Sequence, residues 1–147
     1  MKIGALATLT GIPPASIRFY ETEGLLPAPA RTGSNYRDYT DEHVERLNFI
    51  RRCRSLDMEL EEIRALLRFK DAPSGNCTGV NELLDAHIGH VARRVRELRA
   101  LEAQLRTLRG QCEEAKDTQG CGILHELSSG AKPLGRPAGR HVRSVHR

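Results

Sequence analysis

Three of the four cysteines in this 147-residue chain stand where thiolate chemistry is available. Cys112 and Cys121 are nine residues apart across a segment that contains glycine, near enough along the chain to hold one ion together. Cys77 stands 35 residues before Cys112. If the stretch between them is one helix, they are roughly 50 Å apart at 1.5 Å per residue and cannot ligate one ion within a single chain. An antiparallel pair of such helices removes the difficulty, because Cys77 of the partner subunit then comes alongside Cys112. Two symmetric sites follow, each with three sulfurs. Three thiolates carry −3, which a divalent cation brings to −1 and a monovalent one leaves at −2. All-sulfur ligation selects soft metals such as Cd(II), Pb(II) and Hg(II). Cys53 continues an apolar stripe and is assigned to the core. An iron–sulfur centre requires four clustered cysteines, and a thiol redox enzyme a Cys-x-x-Cys pair; the spacing offers neither.

The histidines suggest a second, weaker site. His87 and His90 are three residues apart and share a helix face. His141 and His146 lie in a basic tail. Imidazoles from one chain's helix and the other chain's tail would form a borderline site for Cd(II) or Zn(II). His43 and His125 are assigned to capping or packing.

The elements that must position these groups are helical. Residues 3–9 form a short helix with Ile3 and Leu6 inward, stopped at Thr10-Gly11. Residues 14–22 form a second, with proline at home in the first turn. Two short helices around a glycine turn outline a helix-turn-helix. A Gly33-Ser34-Asn35 turn between extended pieces makes a small hairpin, or wing. Thr40 and His43 have the spacing of a capping box. The helix after them places Val44, Leu47, Ile50 and Cys53 on one stripe, and a fourth helix turns Leu60, Ile63, Leu66 and Leu67 inward. Asp71-Ala72-Pro73-Ser74-Gly75-Asn76 is a linker. A long helix over 79–112 then carries Leu84, Ile88, Val91, Val95, Leu98, Leu101, Leu105, Leu108 and Cys112 at spacings mostly of three and four. That is a coiled-coil seam, which a single helix cannot bury. A short amphipathic turn at 122–127 precedes a tail of Ser, Gly, Pro, Arg and His, expected to be disordered.

Charge narrows the function classes. The net charge is +4, yet residues 1–75 are net zero and residues 76–128 net −1; the excess is the +5 of residues 129–147. Affinity for nucleic acid must therefore come from the placement of arginines, not from bulk charge. Arg18 and Tyr20 lie on the second helix, the expected major-groove reader, and Asn35, Tyr36 and Arg37 on the wing, where phosphates would be met. Arg51, Arg52 and Arg54 are further phosphate candidates. No apolar run approaches the roughly 20 residues that span a bilayer, and no signal peptide is legible, so a cytoplasmic protein without a membrane partner is expected.

Ile3-Gly4, Thr10-Gly11, Ile17-Arg18-Phe19-Tyr20-Glu21, Gly24-Leu25-Leu26, Asn35-Tyr36-Arg37 and Tyr39 together resemble the DNA-binding domain of the MerR family of metalloregulators. The resemblance runs from residue 1 to about 127. His43-Val44-Glu45-Arg46-Leu47, Cys53-Arg54-Ser55-Leu56-Asp57-Met58 and His87-Ile88-Gly89-His90-Val91 resemble its cadmium- and lead-responsive (CadR- and PbrR-like) branch. Ala5, Pro13-Pro14 and Phe19 depart from the family pattern and bear on half-site preference. The resemblance implies a mainly α fold: a winged helix-turn-helix DNA-binding domain (1–72), a linker (73–78), an antiparallel coiled-coil dimerisation helix (79–112), a metal-binding loop and short helix (112–127) and a flexible basic tail containing histidine (128–147). It implies Cys77, Cys112 and Cys121 as metal ligands, with Arg18, Tyr20, Tyr36 and Arg37 facing DNA. It also implies a homodimer on double-stranded promoter DNA that distorts an overlong spacer when metal binds, so that RNA polymerase engages. The expected function is thus a Cd(II)- or Pb(II)-responsive activator of resistance or efflux genes, not an enzyme. A Hg(II)- or Zn(II)-responsive regulator of the same family and a cytosolic metal-buffering protein are the alternatives.

Overall fold

In the computed structural model the described residues are 1–73, 75–112, 114 and 117–130. The chain is mainly helical. It runs α1 (Ile3–Thr10), α2 (Pro14–Thr22), β1 (Ala30–Arg31), β2 (Arg37–Asp38), α3 (Asp41–Ser55), α4 (Leu60–Asp71) and α5 (Thr78–Arg109), then a 3-10 turn (Thr118–Gly120) and α6 (Gly122–Ser128). One compact unit comprises Met1–Leu84, and a second begins at Asp85.

The first unit is built around one apolar core. Leu6, Ile12, Ile17, Tyr20, Leu25, Leu26, Tyr39, Leu47, Ile50, Met58, Ile63 and Leu67 are all buried, with Cys53 among them. Cys53 is 6% exposed and its thiol is pushed up by burial, so it belongs to the core as the stripe implied. The α1–α2 turn depends on Gly11, whose φ of 70° lies in the left-handed region where a side chain is strained. Its N–H closes α1 on the Ala7 carbonyl at 2.8 Å. The wing pairs antiparallel in the register Ala30↔Asp38 and Arg31↔Arg37. Asn35 makes its turn at φ 66°, a conformation asparagine tolerates better than most residues.

Both capping interactions of the Thr40–His43 box are present. The Thr40 N–H donates to His43 Nδ1 at 3.1 Å, which leaves Nε2 to donate to the Pro27 carbonyl at 3.0 Å. One histidine thus caps α3 and ties down the loop before the wing. Two arginines fix the same loop from behind. Arg46 donates to the Leu25 carbonyl at 2.6 Å and grips Asp71 with two nitrogens, at 2.6 and 2.9 Å. Its guanidinium holds the Asp71 carboxyl below the usual range. Arg64 donates to the Glu23 carbonyl.

The long helix is a single element of 32 residues. It ends at Arg109 because Gly110 follows, so Cys112 stands in the turn beyond it and not on the helical seam, as the periodicity implied. The first compact unit reaches into α5 because Gly79 admits Phe69: a Cβ at 79 would come within 2.5 Å of the Phe69 ring. Along α5, Ile88 is 63% exposed, Leu105 57%, Leu98 44% and Val91 43%, so the apolar stripe is uncovered in the single chain. Among the described residues no helix is long and apolar enough to cross a membrane.

Candidate functional site

Two groups of functional side chains are assembled, one in each compact unit. The first is a concave surface between α2 and the wing, lined by Lys2, Ile3, Arg18, Arg31, Asn35, Tyr36 and Arg37. Four of the five residues expected to face DNA meet there. Arg18 is exposed on α2, Tyr36 is 60% exposed at the wing tip, and Lys2 Nζ lies 4.9 Å from the Tyr36 ring centre. Such a cation over an aromatic face is attractive and restrains both side chains. Arg31 donates to the Asn35 carbonyl at 3.1 Å, which stiffens the turn. Lys2 and Arg31 were not singled out by sequence reasoning. Each is an isolated cation in the chain, and only the hairpin pairing and the packing of the first residues bring them beside Arg18.

Tyr20 is a correction. It is 2% exposed and lies in the core between α2 and its neighbours, not on the groove-facing side. Burial pushes its phenol up, with Arg54 acting in the opposite direction. The reason is helical periodicity: Ile17 and Tyr20 are three residues apart and share the inward face, whereas Arg18 and Phe19 point outward.

Behind the groove stands a polar pair. Tyr39 donates its hydroxyl to Glu21 Oε1 at 2.5 Å, and Glu21 Oε2 lies 3.5 Å from Arg37. Burial, reinforced by the Glu21 carboxylate, pushes the Tyr39 phenol up to about 12. Glu21 therefore links α2 to the wing arginine. Of the other arginine candidates, Arg51 and Arg52 are exposed, while Arg54 turns back to the Met58 carbonyl at 3.3 Å.

The second group is the thiol pair. Cys112 and Cys121 lie near one another beyond α5, the Cys112 thiol close enough to help lower that of Cys121. Cys121 is the residue before α6, so its sulfur lies near the backbone N–H groups of the first turn. The Leu124 amide above all holds its thiol below the ordinary range. Partial burial opposes this; the Ile123 amide and the Cys112 thiol add to the lowering. The turn is clamped from several sides. Arg109 donates to the Cys112 carbonyl at 2.6 Å, Cys112 Sγ lies 3.3 Å from the Glu114 carbonyl, and His125 Nε2 lies 3.0 Å from the Gln119 carbonyl. Asp117 caps the 3-10 turn by accepting the Gly120 N–H at 3.0 Å. Two soft sulfur donors, one predisposed to the thiolate, suit a soft cation.

Cys77 is exposed at the other end of α5, whose 32 residues span about 48 Å at 1.5 Å per residue. His87 and His90 share a face of α5, their ring centres 6.4 Å apart. His141 and His146, the other half of the expected histidine site, lie outside the described residues.

The family model described as MerR HTH family regulatory protein matches residues 1–70, and the one described as MerR, DNA binding matches residues 44–108. The HTH-type transcriptional regulator ZntR homolog of Haemophilus influenzae is 47% identical over 74% of this chain and 81% of its own length. The mercuric resistance operon regulatory protein of Bacillus cereus is 36% identical over 86% of this chain and 96% of its own. The crystal structure of the transcription regulator PbrR691 from Ralstonia metallidurans CH34 in complex with lead(II) is similar at a TM-score of 0.76. It is 50% identical and is covered over 86% of this chain and 98% of that one. With family models matched across residues 1–108 and relatives 36–50% identical over most of their own length, the chain belongs to the MerR family of transcription regulators.

Proposed function

We propose that this protein is a cytoplasmic transcriptional activator responsive to Cd(II), Pb(II) or both, which controls resistance or efflux genes from promoter DNA as a homodimer. The observation that carries the reading is the thiol arrangement. Cys112 and Cys121 sit together at one end of α5, and Cys77 flanks the other end, with an uncovered apolar stripe between them. Antiparallel pairing of two α5 helices covers the stripe. It also supplies the third sulfur to each loop from Cys77 of the partner subunit. The donor set is all sulfur and trivalently negative, the composition that a soft divalent cation neutralises best. The similarity to a lead-bound regulator at 50% identity supports the choice of ion.

On the DNA side, Arg18 is assigned to base edges in the major groove, and Asn35, Tyr36 and Arg37 to phosphates. A regulator that bends or untwists its site works through deformation energy as well as contact. Metal therefore changes promoter shape more than affinity, which allows RNA polymerase to engage a spacer it otherwise reads poorly. The test is a promoter reporter titrated with Cd(II), Pb(II), Hg(II) and Zn(II), for the unmodified protein and for Cys77→Ser, Cys112→Ser and Cys121→Ser. The expected result is a response to cadmium or lead that every one of the three substitutions removes. A response to mercury or zinc alone would reassign the effector, and specific operator binding with no metal response would overturn the sensor reading.

A further inference from the structure

Gly122 is the first residue of α6, and its backbone is not in the left-handed region, so conformational freedom does not explain a glycine there. Glycine is also among the weakest helix formers. Space explains it. A Cβ built at 122 would overlap the carbonyl oxygen of Gln111, with the Gln111 carbonyl carbon at 3.2 Å and its Cβ at 3.3 Å. The obstacle is backbone, one residue before Cys112, and Gly122 is one residue after Cys121. The two ends of the thiol loop therefore touch at Gln111 and Gly122, each the chain neighbour of one of the two cysteines. Arg109 on the Cys112 carbonyl and His125 on the Gln119 carbonyl hold the loop against this contact.

We infer that Gly122 is a positioning residue of the metal loop: its missing side chain lets α6 abut the Gln111 carbonyl, and that abutment sets the distance between the Cys112 and Cys121 sulfurs. This rests on the metal reading of the cysteines proposed above. Any side chain at 122 drives the start of α6 away from residue 111, carries Cys121 with it and leaves Cys112 with one sulfur fewer to share an ion.

The test uses the full-length protein and Cd(II) alone, read by the ultraviolet charge-transfer absorbance of cadmium–thiolate bonds. Helix content and dimer state are followed in parallel to show that variants fold. Unmodified protein is expected to give an absorbance of three thiolates per ion. Gly122→Ala should fall to about two-thirds of that and bind Cd(II) at least tenfold more weakly, with helix content and dimer state unchanged. The double variant Gly122→Ala/Cys121→Ser should be no worse than Cys121→Ser alone, because residues acting through one sulfur are not additive. Full absorbance and affinity in Gly122→Ala, or additive losses in the double variant, would overturn the positioning role alone. No thiolate absorbance in the unmodified protein would overturn the metal reading and this inference together.

Discussion

The uncovered stripe of α5 gives the sharpest test of self-association. Ile88 is the most exposed apolar residue on it, 63% open in the single chain. Burying a whole isoleucine side chain is worth about 1.5–3 kcal/mol, so covering the open part adds about 1–2 kcal/mol per protomer. A two-fold axis counts every substitution twice, which makes about 2–4 kcal/mol per dimer. At 1.4 kcal/mol per tenfold, Ile88→Ser should raise the dimer dissociation constant by roughly thirty-fold to several hundred-fold. Arg93 is exposed and lies on the opposite face, two residues from both Val91 and Val95. Arg93→Ser should move the constant by less than about threefold, as for an ordinary surface change. Sedimentation equilibrium over a range of protein concentrations measures both. If Ile88→Ser associates as tightly as the unmodified chain, this face is not the dimer surface, and the three-sulfur site loses its geometry.

Mixed dimers provide a second check: a Cys77→Ser subunit paired with a Cys112→Ser subunit should bind one Cd(II) where the unmodified dimer binds two, since one pocket keeps all its ligands. Arg37→Ala should weaken operator binding for all sequences alike and lower the slope of log K against log salt by about 0.9, whereas Arg18→Ala should also relax base preference, both read by fluorescence anisotropy. Tyr20→Ala should act on stability, by about 3–5 kcal/mol in urea unfolding, because the ring fills core and leaves a cavity. Tyr39 gives a pH signature: its phenol keeps its proton up to about 12, against an ordinary value of 10.0. The folded state then binds more protons than the unfolded one between those values. The Tyr39 contribution to stability should fall as pH rises through that window and be flat below it, and Tyr39→Phe should remove that share of the dependence, leaving those of Tyr20 and Cys53.

What the sequence determined by itself was local and periodic. The short helices, the glycine turn at 11, the wing around Asn35 and the Thr40–His43 cap all follow from spacing and backbone preference within a few residues. The chemistry of the thiols was equally legible, because sulfur softness and charge belong to the residue type wherever it lies. So was the argument that Cys77 and Cys112 are too far apart on one rod. Tertiary structure decided which way side chains point and what lies across from them. Tyr20 is three residues from Ile17 and shares its face, and packing against the core decides that this face, not the one carrying Arg18, is the buried one. Lys2 and Arg31 are unremarkable along the chain and become part of a cationic groove once the hairpin closes. Gly110 marks a helix end in the sequence, but only the folded turn beyond it carries Cys112 off the seam and toward Cys121. Gly122 reads as a weak helix start until the Gln111 carbonyl is seen against it. Period and composition are properties of neighbours in sequence, whereas exclusion of a single methyl group depends on atoms that only folding brings together.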